Sequence, residues 1–132
     1  MDAAGRDVVR RRAGNRCEYC LLRQQYNRLT HHVEHIIAKQ HGGRDDADNL
    51  ALACHRCNLR KGPNLAGVDP VSGELAPLFH PRRDRWTEHF QFRGVRIEGL
   101  TPVGRATVHV LAMNDARRVE LRSELLARGD PS

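Results

Sequence analysis

Two Cys-x-x-Cys pairs constrain this chain more than any other feature. Cys17-Glu18-Tyr19-Cys20 and Cys54-His55-Arg56-Cys57 contain all four cysteines of the 132 residues. A short turn presenting two thiolates suits one half of a tetrahedral zinc ion, and two such turns complete the shell. Two disulfides are the competing reading. Residues 1–12 have no apolar core between their charges, so no secretory leader is expected and a reducing cytoplasm counts against disulfides. A redox pair fits less well, because nothing around either pair reads as a βαβ unit. The expectation is structural Zn²⁺ held by Cys17, Cys20, Cys54 and Cys57.

The length fits one domain with one active site, so a single domain over residues 1–132 is expected. Hydrophobic residues make up 39% and charged residues 29%, which disfavours the disordered and fibrous classes. The apolar runs are only a few residues long, far short of the ~20 that span a bilayer, so no membrane partner is expected. Lys and Arg number 22 against 16 Asp and Glu, and only Lys39 and Lys61 are lysines. Arginine's planar fork matches phosphate oxygens, so this excess points to nucleic acid. Position sharpens the reading. Residues 1–61 carry 12 basic and 7 acidic side chains, whereas residues 62–132 carry 10 and 9.

The 33 residues between Cys20 and Cys54 exceed the spacing of a simple zinc ribbon. Residues 29–37 are β-prone, residues 40–46 form a loop with two glycines, and Leu50-Ala51-Leu52-Ala53 reads as a return strand. Residues 54–61 then read as a short helix stopped by Gly62-Pro63. The order is strand, loop, strand, helix.

The motifs Cys17-x-x-Cys20, His32-Val33-Glu34-His35-Ile36-Ile37, Gly42-Gly43, Asn49-Leu50 and Cys54-x-x-Cys57-Asn58-x-x-Lys61-Gly62 together resemble the HNH endonucleases, with their ββα-metal fold. The resemblance covers a core of about residues 10–62 and implies an α+β fold. It implies that His35 activates water, that Asn49 holds the loop, and that Glu34 and Asn58 hold a catalytic Mg²⁺ or Mn²⁺. Two departures stand out. Glu34 replaces the commoner Asp, and Asn58 takes a position that is elsewhere His. A second, weaker likeness joins residues 78–90 to the tail of small bacterial HNH proteins.

The residue chemistry agrees with that assignment. Phosphodiester hydrolysis needs a base for the water and a cation for the developing charge, which a neutral imidazole and a hard oxygen-held ion supply. Adjacent strand residues point to opposite faces, so Glu34 and His35 share a site only if the strand bends or ends there. DNA is the expected partner, with phosphates gripped by some of Arg10, Arg11, Arg12, Arg16, Arg56, Arg60 and Lys61. His32 is placed to contact phosphate or the metal's waters, or else solvent. The alternative from another class is a non-catalytic zinc-knuckle module that binds nucleic acid.

Residues 63–132 read as support for the core. Residues 63–77, rich in Gly and Pro, read as a surface loop. Phe90, Phe92, Val95 and Ile97 alternate about a turn at Arg93-Gly94, which would pair Phe92 with Val95 and Phe90 with Ile97. Thr101-Pro102 opens a helix, and a last helix covers about Asp115 to Arg128, burying some of Val119, Leu121, Leu125 and Leu126.

Overall fold

In the computed structural model, which describes residues 2–129, the chain gathers into two compact units, Met1–Leu65 with His80–Asp84 and Ala66–Phe79 with Arg85–Ser132. Helices alternate with two-stranded antiparallel sheets, so the fold is α+β.

The first unit opens with α1 (Ala3–Arg12), capped by Asp2, whose carboxylate accepts from Gly5 N at 2.8 Å. Only Val9 of this helix is buried, and it packs with Leu50 and Leu52. Arg10, Arg11 and Arg12 crowd its last turn, where cations oppose the negative end of the helix dipole.

Strands β1 (His32–His35) and β2 (Leu50–Ala53) pair antiparallel, with His32 opposite Ala53 and His35 opposite Leu50. The β-prone stretch 29–37 thus yields only four residues of strand. Side chains engage the main chain at both ends. Gln24 accepts from His31 N at 2.6 Å and donates to Leu29 O at 3.1 Å, while Asn49 takes both main-chain groups of Ile37. Gly43 closes the intervening loop. A Cβ there would stand 1.7 Å from Ile37 O, so no other residue fits without backbone movement.

Helix α2 (His55–Lys61) follows β2 after one residue, Cys54, whose Sγ caps it by accepting from Cys57 N at 3.5 Å. Its expected span, and its stop at Gly62, agree with the sequence. Strand, loop, strand and helix therefore occur in the expected order.

The second unit corrects two expectations. The stretch read as a surface loop forms a hairpin of β3 (Ala66–Val68) and β4 (Leu75–Pro77). Its inward residues, Gly67 and Ala76, are too small to give an apolar signal. What orders it is polar: Asp69, fully buried, accepts from Val71 N, from the Ser72 hydroxyl and from both arms of the Arg105 guanidinium. That fork holds the Asp69 carboxyl far below its usual pKa.

After the single turn α3 (Trp86–His89), strands β5 (Phe90–Arg93) and β6 (Arg96–Gly99) form the expected hairpin in another register, pairing Phe92 with Ile97 and Phe90 with Gly99. The turn is Gly94-Val95 rather than Arg93-Gly94. Gly94 has φ +61°, which a two-residue turn of the II′ type requires at its first position and which glycine adopts without strain.

Helix α4 (Pro102–Val110) starts as expected, with Thr101 Oγ1 accepting from Gly104 N at 3.0 Å. Helix α5 (Ala116–Ala127) buries Leu125, but Leu126 is exposed and the other buried residues are Arg118 and Arg122. Their guanidiniums donate to Leu111 O at 2.8 Å and to Met113 O at 2.6 Å, satisfying carbonyls just past the end of α4.

Candidate active site and metal centre

Cys17 and Cys20 lie in the turn after α1, and Cys54 and Cys57 at the start of α2. Their four sulfurs are buried and lie within 4.8 Å of one another. Cys20 Sγ and Cys54 Sγ are 3.7 Å apart. A tetrahedral shell with Zn–S bonds of about 2.3 Å has an edge of about 3.8 Å, whereas a disulfide needs about 2.05 Å. Burial raises the Cys17 and Cys57 thiols well above their usual range, so a cation is what would make them thiolates. Amide N–H groups of Cys20 and Cys57 point at the Sγ three residues back, as suits thiolate ligands. The cluster is compatible with structural zinc, and it is the only group of three or more His, Cys, Asp or Glu ligand atoms among the described residues.

An open cleft of about 430 Å³ lies along β1 and α2, lined among others by His32, Glu34, His35 and Asn58. Neighbours on a strand would ordinarily diverge, but β1 ends at His35, where Ile36 N donates to Asn49 O at 2.8 Å, and both residues reach the cleft. Three of the four residues to which the resemblance assigns a role are therefore together. The fourth, Asn49, is buried behind them. It accepts from Ile37 N at 2.9 Å and donates to Ile37 O at 2.9 Å and to Arg44 O at 2.8 Å, clamping the loop that follows β1.

His35 Nε2 lies 2.7 Å from Asp45 Oδ1. A carboxylate only accepts, so Nε2 carries a proton, and in the neutral ring Nδ1 keeps its lone pair, with no protein partner among the described residues. Asp45 was missed in the sequence, where it is one of two adjacent acids in an exposed loop. Its neighbour Asp46 faces Arg44 instead. The bond to His35 lowers the pKa of Asp45.

Glu34 is less open than a typical metal ligand, at 7% exposure. Tyr19 donates its hydroxyl to Oε1, and Lys61 Nζ lies 3.2 Å from Oε2. Burial raises the Glu34 pKa, while Lys61 and Tyr19 pull it back. A carboxylate has about four lone-pair sites, so capacity for a cation remains beside these two partners. The Asn58 side-chain amide has no protein partner among the described residues. One carboxylate and one amide oxygen fit a hard divalent cation that keeps several waters.

Lys61 corrects the expectation that it grips phosphate. Its side chain is 2% exposed, and its ammonium donates to Ile36 O at 2.9 Å as well as pairing with Glu34. Arg10 and Arg12 are likewise engaged internally, with Arg10 donating to His31 O and Arg12 to Ala47 O and Leu50 O. Their fixed forks tie α1 to the β1–β2 pair. Arg16 is half-buried, and Arg11, Arg56 and Arg60 are exposed. His31, beside the exposed His32, is fully buried with Nε2 2.9 Å from Leu22 O, and burial lowers its pKa.

The Lys61–Glu34 pair makes a direct prediction. Removing one partner of a buried ion pair leaves an uncompensated charge, so Lys61→Met should destabilise the zinc-loaded protein by about 3–5 kcal/mol in urea unfolding. Adding Glu34→Gln should recover part of the loss. Equal stability of Lys61→Met and the parent would show the pair to be unimportant.

Against known proteins, residues 17–64 match the family described as HNH endonuclease. Residues 17–64 thus resemble an HNH endonuclease domain. The match starts at the first zinc-type cysteine and ends just past α2, and so takes in both knuckles and every cleft residue named above. The chain is also 27% identical over 114 residues to the Septu protein PtuB of Bacillus thuringiensis, a match covering 81% of this chain and 40% of that protein. It thus spans well under half the length of that relative. No solved structure matches. Among the described residues no helix is long and apolar enough to cross a membrane.

Proposed function

We propose that this protein hydrolyses DNA phosphodiester bonds in a divalent-metal-dependent reaction, with His35 as general base. One observation carries the reading. His35 is held through Nε2 by Asp45, keeps Nδ1 unpartnered, and lines one cleft with Glu34 and Asn58. In this reading Nδ1 takes a proton from water as the water oxygen bonds to phosphorus. The bond from phosphorus to the 3′ oxygen breaks and that oxygen takes a proton from solvent, leaving 5′-phosphate and 3′-hydroxyl ends. Glu34 and Asn58 hold the Mg²⁺ or Mn²⁺, which when bound supplies positive charge for the leaving oxygen. Asp45 fixes the tautomer and direction of the imidazole, and Asn49 holds the loop that positions it.

The exposed Arg11, Arg56 and Arg60 are the best-placed cations for phosphate. DNA affinity should fall steeply with salt as condensed counterions are released, and each of these arginines that contacts phosphate should lower the log–log slope by about 1 when replaced by alanine. The effect should be similar for all sequences. Affinity that is independent of salt would point to a partner other than nucleic acid.

The engagement of both Glu34 oxygens by Tyr19 and Lys61 favours a second reading, a zinc-stapled module that binds nucleic acid without cutting it. Plasmid nicking by zinc-loaded protein, with and without added Mg²⁺ or Mn²⁺, separates the two. Nicking that requires the added ion supports the nuclease, and DNA binding without nicking under any ion supports the module.

A further inference from the structure

His32 lines the cleft and is exposed, yet its ring is not directed at random. Its Nε2 lies 3.3 Å from Nδ1 of His55, and the two rings are tilted by 37° with centroids 5.5 Å apart. Two nitrogens bound to one tetrahedral ion at about 2.0–2.1 Å are separated by about 3.3–3.4 Å, which is the spacing found. The main chain fixes this approach. His32 is paired with Ala53 across the β1–β2 ladder, and two residues after Ala53 His55 opens α2, with Cys54 of the four-cysteine cluster between them.

We propose that His32 and His55 form a second metal site at the cleft, taking a borderline transition ion such as Zn²⁺ or Ni²⁺ through His32 Nε2 and His55 Nδ1. The site is separate from the cysteine cluster, whose four positions are all filled by sulfur. It is also separate from the Glu34 carboxylate. His32 and Glu34 lie two apart on one strand face, about 7 Å along it, and among the described residues no third His, Cys, Asp or Glu ligand atom joins the imidazole pair. Water or a substrate phosphate completes the shell. Imidazole suits Zn²⁺, Ni²⁺ and Cu²⁺, whereas Mg²⁺ keeps to oxygen, so the site selects ions that the Glu34–Asn58 pair does not need. A simple hydrogen bond between neutral rings would give the same distance, and metal titration distinguishes the two.

The experiment uses untagged full-length protein with one zinc per chain, titrated with Ni²⁺ by calorimetry in the presence of millimolar Mg²⁺. One further equivalent of Ni²⁺ is expected. His32→Gln and His55→Gln, matched to the parent in zinc content and circular dichroism, should each weaken it roughly tenfold or more, since even outer-shell changes cost about 10–100-fold. Glu34→Gln, matched in the same way because it alters the buried pair with Lys61, should leave it unchanged. Independently of any variant, Ni²⁺ should broaden the proton resonances of the His32 and His55 rings before those of the other histidines. The proposal is overturned by the absence of a further equivalent, by binding indifferent to both histidine variants, by loss in Glu34→Gln, or by broadening that spares these two rings. None of these readouts depends on DNA cleavage, so they stand or fall separately from the nuclease reading.

Discussion

Chelation of a zinc ion held by the four cysteines is expected to unfold the first unit, with loss of amide protection at Val9 and Leu52 and recovery on adding Zn²⁺. Structural zinc contributes about 10–16 kcal/mol of apparent binding energy in small domains, whereas a whole domain has a net stability of only about 5–15 kcal/mol. The position of the cysteines makes the dependence strong here. Cys54 is the cap of α2 and the residue after β2, while Cys17 and Cys20 belong to a turn in which Cys17 N donates to Leu22 O at 2.8 Å. One ion would tie the α1 turn to the β2–α2 junction across 33 intervening residues, and closing that loop is an entropic cost the cation offsets. Little apolar packing is available to replace it, because α1 buries only Val9 and the cluster around it is small. Cys17→Ser and Cys54→Ser should therefore yield poorly folded protein. A metal-free protein with two disulfides and an unchanged melting transition would sink the zinc assignment.

The parts of the fold that could be read from sequence are those where a single residue has one physical use. Gly62-Pro63 stops α2 and Thr101-Pro102 starts α4, because proline and glycine act locally. Three things were hidden, each for a stated reason. Helix α1 has one buried side chain among ten residues, so it carries no apolar period. The β3–β4 hairpin is organised by buried Asp69 and its Arg105 partner, a pairing across 36 residues that no local pattern reveals. Lys61, expected to grip phosphate, is buried like Arg118 and Arg122, and all three donate to main-chain carbonyls that no local pattern reveals. Part of the arginine excess that suggested nucleic acid thus holds the fold together.

The candidate site shows the same division. Glu34, His35, Asn49 and Asn58 stood out because their spacing matches a known motif. Asp45 and Tyr19 did not, because their roles appear only once the loop folds back on β1 and the first knuckle is seated against Glu34. Spacing identifies the groups that perform the chemistry, but the groups that orient them are found by contact.

His35→Ala is expected to slow plasmid cleavage by roughly 10²–10⁴-fold, the range for losing a positioned general base. The structure says why the loss should stay confined to chemistry. The His35 side chain is 25% exposed and its one ring bond is to Asp45, itself 43% exposed, so removing the imidazole opens no large cavity and leaves no buried charge unpaired. The main-chain O of His35 and its pairing with Leu50 do not depend on the ring. Zinc content, folding and DNA affinity should therefore match the parent. Glu34→Ala and Asn58→Ala should behave differently. They remove oxygen ligands, so part of the activity should return at high Mn²⁺, which accepts a poorer oxygen set more readily than Mg²⁺. Glu34→Ala also leaves Lys61 buried without its carboxylate, so its folding must be checked before its rate is interpreted. Asp45→Asn keeps the size but removes the charge, and its amide can donate to Nε2 as well as accept from it, so one tautomer of His35 is no longer enforced. It should lower the cleavage rate at saturating DNA more than it weakens DNA binding. Full cleavage by His35→Ala would remove the proposed base and leave the binding module as the better account of the cleft.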